Sequence, residues 1–149
     1  MSHTSTIKAI KIVSIQALRS AVEELASGGI RCRLEDGGTP RAFYPNQPGL
    51  GAADYVLKLD DCPYDVGFYK SDDGKSYEAR TDFWMGHVEK ILGTPASKPE
   101  HEEQAKMGKL FQKYAVNAAT EEARRKGLQV RRQTADDGTV KLVLSGANL

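Results

Sequence analysis

Tyr64-Asp65-Val66-Gly67-Phe68-Tyr69-Lys70-Ser71-Asp72-Asp73-Gly74-Lys75-Ser76-Tyr77-Glu78-Ala79-Arg80-Thr81-Asp82-Phe83-Trp84 is the stretch whose reading decides the fold. At its middle, Asp72-Asp73-Gly74 is hairpin-turn chemistry, because the glycine takes the positive φ that closes a short loop with the right twist. Before the turn, Tyr64, Val66 and Phe68 recur at every second position; after it, Tyr77, Ala79, Thr81 and Phe83 alternate with Glu78, Arg80, Asp82 and Trp84. A period of two is that of strands with one side turned to a core. The stretch therefore predicts two antiparallel strands.

Working outward toward the start, Tyr55, Leu57 and Leu59 alternate with Asp54, Val56 and Lys58, and Ile30, Cys32 and Leu34 alternate with Arg31, Arg33 and Glu35. Both predict strands. Between them, residues 36–53 carry Gly37, Gly38, Pro40, Pro45, Pro48, Gly49 and Gly51, which excludes regular structure. Connections this long in a small domain tend to be functional or mobile. Ser14 offers a hydroxyl to the free amides of a helix over 14–27, with Ile15, Leu18, Val22 and Leu25 on one face and Gly28 as its stop. Thr4 to Val13 is rich in β-branched residues whose apolar positions change phase between Ile7 and Ile10, which predicts a strand that is bulged or covered on both faces.

Toward the other end, Met85 to Leu92 has the length of a short helix and residues 93–99 the composition of a mobile linker. His101 to Lys126 reads as the longest helix, with Glu100, Glu102 and Glu103 at its positive end, Arg124, Arg125 and Lys126 at its negative end, and Met107, Leu110, Phe111, Tyr114 and Ala118 as its buried stripe. Leu128 to Thr134, Asp136-Asp137-Gly138 and Thr139 to Leu144 predict a second hairpin, with Val130 facing Val140, Leu142 and Leu144. The order is β-α-β-β-β-β-α-β-β. Strands and helices segregate, so residues 1–149 are expected to form a single α+β domain: a mostly antiparallel sheet with two main helices packed on it, both Asp-Asp-Gly bends feeding one shared layer.

Composition fits that reading. The chain has 149 residues, 40% hydrophobic and 28% charged, enough to bury a core without a staple. Its 21 Lys and Arg nearly cancel 20 Asp and Glu, so no global field draws it to nucleic acid or an anionic membrane. Cys32 and Cys62 lack a CxxC pairing and read as small buried or semi-buried thiols of a reducing compartment. The start shows no leader or lipidation signal, and no stretch is apolar enough to span a bilayer, which leads us to expect a cytoplasmic protein with no membrane association.

Three blocks in order, Met1 to Lys8, Tyr64 to Phe68 with Tyr77 to Trp84, and Tyr114 through Gly127 to Leu144, resemble the hypothetical chloroplast reading frame thirty-five family of cyanobacteria, algal plastids and other bacteria, catalogued as a domain of unknown function. The resemblance spans nearly the whole chain. It implies a shared fold and, for a plastid-derived chain, a stromal location; it implies no activity. The chain departs from the family at Met85, where glycine is usual, and in a longer Met85 to Pro99 segment.

Three sets of residues carry possible chemistry. Asp65 and Asp82 fall on neighbouring strands of the first hairpin, and paired carboxylates of unequal pKa do acid and base work; the plainer expectation is two solvent-facing charges, or, if half-buried, carboxylates bound by Arg41 or Arg80. Tyr44, Tyr69 and Trp84 are placed to line a patch between loop and sheet, though a tryptophan is more often core. Arg31, Arg33, Arg131 and Arg132, with Arg124, Arg125 and Lys126, form a strip that could follow a phosphate backbone. His3, His87 and His101 lack ligand spacing, no glycine run forms a phosphate loop, and no triad is present, so no metal, cofactor or catalytic residue is expected. The reading favoured is a non-catalytic module that docks a protein partner, with a small nucleic-acid-binding domain and an enzyme centred on Asp65 and Asp82 as alternatives.

Overall fold

The computed structural model describes residues 4–96, 98–136 and 140–146. Its elements are β1 (Thr4–Ile12), α1 (Ile15–Ser27), β2 (Cys32–Asp36), β3 (Tyr55–Leu59), β4 (Val66–Lys70), β5 (Tyr77–Asp82), a 3-10 turn (Trp84–Gly86), α2 (His87–Leu92), a 3-10 turn (Pro99–His101), α3 (Glu102–Ala105), α4 (Gly108–Arg125), β6 (Gln129–Thr134) and β7 (Val140–Ser145). The chain is an α+β domain. Five strands form a fully antiparallel sheet in the order β1-β5-β4-β3-β2. The phase change in the first strand is a register shift between Ile7 and Ile12 against β5.

One sheet face meets the helices. Leu57, Leu59, Val66, Phe68 and Ala79 bury against Ala17, Leu18, Ala21, Val22 and Leu25 of α1 and Leu110, Phe111 and Tyr114 of α4. Ser14 caps α1, its hydroxyl accepting the Ala17 N–H at 3.0 Å, and the Tyr114 hydroxyl accepts the Val13 and Ser14 amides at 2.8 and 3.1 Å. The turn between β1 and α1 is thus fixed to α4 by one phenol.

Among the described residues no helix packs on the opposite face; the irregular segment between β2 and β3 covers it. Backbone bonds tie that segment down at both ends, Gly37 N–H to Asp54 O at 2.8 Å and Ala53 N–H to Gly38 O at 2.7 Å. Pro40, Gln47, Leu50 and Ala53 are buried, and the Tyr69 hydroxyl donates to Gly51 O at 2.9 Å. Gly67 makes room for this cover: a Cβ there would lie 2.7 Å from both the Pro40 ring and the Tyr69 ring.

Two expectations are corrected. The segment 101–126 is not one helix. It starts as the Pro99–His101 turn and α3, and breaks at Met107, whose φ of −128° is non-helical and whose side chain is fully buried. The 93–96 segment crosses there: Thr94 N–H donates to Ala105 O at 2.8 Å, and a Cβ on Gly108 would meet Thr94 Oγ1 at 1.9 Å. Ser97 of the 93–99 linker lies outside the described residues. Nor does the second hairpin join the main layer. β6 and β7 pair only with each other among the described residues, while Arg132 reaches Glu24 of α1 and Asn117 of α4. With Val130 as its single apolar residue beside Arg131 and Arg132, β6 has too little to bury in the main core. Asp137, Gly138 and Thr139 of that hairpin's bend lie outside the described residues.

Candidate functional site

Asp65 immediately precedes β4 and Asp82 ends β5. The last ladder pair at this end is Val66 with Thr81, so the register carried one step further sets the two carboxylates opposite each other. Neither faces solvent. Both are 0% exposed, which overturns the expectation of solvent-facing charges. The cause is the loop cover, which brings residues 41–43 across this end of the hairpin.

Asp65 is ringed by donors. Arg41 gives it a backbone N–H at 2.9 Å, Nε at 3.0 and 3.1 Å to its two oxygens and Nη2 at 2.8 Å, and Lys58 Nζ lies at 3.3 Å. In return the Asp65 N–H donates to Arg41 O at 3.1 Å, and the Thr81 hydroxyl donates to Asp65 O at 2.8 Å. Arg41 also donates from Nη2 to Leu59 O at 2.8 Å and Cys62 O at 2.9 Å. Burial pushes the Asp65 carboxyl up, but the Arg41 hydrogen bonds and the positive charges of Arg41 and Lys58 outweigh it and hold the group below the usual carboxylate range. Of the two arginines offered by the sequence, Arg41 is the partner. Arg80 instead stacks over Tyr69, 4.6 Å from the ring centroid, and pairs with Glu78 at 3.2 Å.

Asp82 grips backbone. Its oxygens accept the Phe43 N–H at 3.1 Å and the Trp84 N–H at 2.9 Å. Two residues far apart in sequence are thereby brought together, and their rings meet edge to face at 6.0 Å; Phe43 also meets Tyr44 at 4.8 Å. Phe43 is 49% exposed, Tyr44 50% and Met85 64%, while Trp84 is half-buried against the main core. Met85 has φ +60°, a left-handed backbone that costs a residue with a Cβ about 1–2 kcal/mol. This is the position where glycine would fit without strain.

The structure therefore gathers Arg41, Asp65, Asp82, Trp84 and Tyr44 at one end of the hairpin. Tyr69 lies apart, under the loop on the helix-free face, where burial raises its phenol above the ordinary range against the lowering charge of Arg80. Phe43 and Met85 were missed by the sequence reading. The adjacent pair Phe43-Tyr44 inside a Pro/Gly loop, and methionine in place of a usual glycine, were the available signals.

Asp65 and Asp82 are thus closed to solvent, and both accept hydrogen bonds from backbone N–H groups of the loop. Among the described residues, no group of three or more His, Cys, Asp or Glu could hold a metal ion, and no helix is long and apolar enough to cross a membrane. Burial raises both thiols, Cys32 with help from Asp60, and Cys62 against the opposing Tyr64 N–H and Arg41 charge, so neither is a ready thiolate at neutral pH. The basic strip is largely answered by carboxylates: Arg31 pairs with Asp61, Arg33 with Asp60 at 2.9 Å and Glu35 at 3.2 Å, Arg125 with Glu122 at 2.6 Å, and Arg132 with Glu24.

No curated protein and no solved structure matches the chain. A family model does match residues 40–143, a span that starts at the Pro40 contact with Gly67 and includes both buried carboxylates, the aromatic cluster and most of β7. By that match, the chain belongs to the family described as a protein of unknown function, DUF1257.

Proposed function

We propose that this protein is a non-catalytic interaction module that docks a protein partner through Phe43, Tyr44, Trp84 and Met85. The observation that carries the reading is the exposure of Phe43, Tyr44 and Met85 beside a half-buried tryptophan, on backbone held by two buried carboxylates. Interfaces use aromatic and methionine anchors, and a surface ordered before binding loses less entropy on docking. Strain retained at Met85 fits a side chain kept for what it touches. The pairing of Arg31, Arg33, Arg125 and Arg132 with carboxylates supports a nucleic-acid role less, and the closed donor shell of Asp65 supports an enzymatic one least. The resemblance to the chloroplast reading frame thirty-five family supports placing the protein in the cytoplasm of a bacterium or in a plastid stroma.

The test is capture from native extract of the source organism at low salt, with the native chain and a Phe43→Ser, Met85→Ser double variant side by side. The reading expects a stoichiometric partner on the native chain that the variant loses. Recovery of no such partner, or equal recovery by both, counts against it. A gel-shift series at low ionic strength that found tight, salt-sensitive RNA or DNA binding would favour the nucleic-acid alternative instead.

A further inference from the structure

The aromatic patch is not the only unfilled surface. Four strand edges lack a strand partner among the described residues: β1 and β2 in the main sheet, and the outer edges of β6 and β7. Natural sheets guard such edges with charge, bulges or covers. β2 carries Arg33, Glu35 and Asp36; β1 is irregular and includes the exposed Lys11; β6 carries Arg131 and Arg132. β7 differs. Its sequence is Val140-Lys141-Leu142-Val143-Leu144-Ser145, with one charge in six residues, and Leu144 is 45% exposed.

The hairpin register sets which side chains share a face. Val130 lies opposite Leu144, Arg132 opposite Leu142, and Thr134 opposite Val140, so Val140, Leu142 and Leu144 share the face on which Arg132 meets α1 and α4. A strand with this pattern is complementary to itself. Laid antiparallel to a second β7 about a two-fold axis at Leu142, it sets Val140 opposite Leu144 of the second copy and Lys141 opposite Val143 of the second copy. No like charges meet. Of the two neighbouring registers, the one centred on Lys141 would oppose two lysines, and the one centred on Val143 would set Val140 opposite Gly146, which has no side chain to pack, so both are disfavoured.

We propose that β7 is a self-association edge, and that two copies of this chain join through it into a four-stranded sheet in the order β6-β7-β7-β6. The two-fold axis is perpendicular to that sheet, so α4 of both copies lies on the same side and the apolar rows Val140, Leu142 and Leu144 run side by side. A two-stranded ribbon becomes four strands with a continuous apolar face, and exposed Leu144 gains Val140 of the second copy as a neighbour beside Val130. The surface is separate from the aromatic patch, so either can fail alone.

Sedimentation velocity of the full chain across the micromolar range tests this. A concentration-dependent dimer is expected, and Leu144→Lys, with native circular dichroism, is expected to weaken it about tenfold or more, since it puts a charge into the apolar row opposite Val140 of the second copy. Phe43→Ser is expected to leave it unchanged. As a register test that does not depend on Leu144, mixing Lys141→Cys chains with Val143→Cys chains under mild oxidation is expected to give far more covalent dimer than either variant alone. A chain that stays monomeric throughout overturns the proposal, as does a dimer indifferent to Leu144→Lys, or a mixture that cross-links no better than its components.

Discussion

The molecule holds two hairpins with almost the same turn signature and opposite circumstances. β4–β5 lies inside the main sheet with α1 and α4 on one face and the 37–54 segment on the other; β6–β7 stands alone and rests on the helices by one side. The difference teaches that the turn chooses the hairpin and the side chains choose its company. Around Asp72-Asp73-Gly74 the strands supply Val66, Phe68 and Ala79 for one core and Gly67 for a close-fitting cover. β6 supplies Val130 and two arginines, of which Arg132 reaches sideways to Glu24 and Asn117 rather than downward into apolar surface.

The ion pairs of the two regions break the comparison hardest. Asp65→Ala removes the acceptor of the Arg41 and Leu59 amides and of the half-exposed Arg41 side chain, and is expected to cost about 2–3 kcal/mol of unfolding free energy in urea titrations, the usual loss of hydrogen bonds to a charged group. The same substitution gives a pH signature. Because the folded Asp65 carboxyl titrates below its unfolded value of about 3.9, its contribution is fully present above that value and is lost as pH falls through the folded one. The gap in stability between native chain and Asp65→Ala should therefore be constant near neutrality and narrow in acid below about pH 4. A gap that widened in acid would contradict the assignment.

A smaller effect of the opposite sign is expected at the patch. Met85→Gly relieves a left-handed residue and should raise thermal stability by about 1 kcal/mol, while weakening capture of the partner. Loss of stability would mean that the Met85 side chain packs more than its 64% exposure allows. Least of all is expected from the second hairpin. Arg132→Ala breaks a half-exposed pair with Glu24 and should cost no more than about 1 kcal/mol, read by the same urea titration.

These regions also show what the sequence displays and what it conceals. The turn at Asp73-Gly74 and the period-two alternation around it are local, and the strands follow from them. Of the six candidate site residues named from the sequence, five converge at one end of the hairpin, but the reason was hidden. Arg41 and Asp65 are 24 positions apart and Phe43 and Asp82 are 39, so nothing local tells a buried, bonded aspartate from a solvated one. The same blindness applies to the Pro/Gly segment, whose composition excludes helix and strand yet is silent on Leu50 and Ala53 packing over the sheet. The break at Met107 was concealed because helical spacing continues through it; only the crossing of Thr94 against Gly108 requires it.

The central claim is that the two carboxylates clasp the loop to the hairpin and so present the aromatic patch. Hydrogen exchange at two backbone amides reads it directly, because the Arg41 N–H is bound by Asp65 and the Phe43 N–H by Asp82. Both amides should be protected in the native chain, and Asp82→Ala should free Phe43 while the β4–β5 ladder keeps its protection. If those amides exchange at the rate of an open loop in the native chain, the carboxylates do not hold the loop and the account fails.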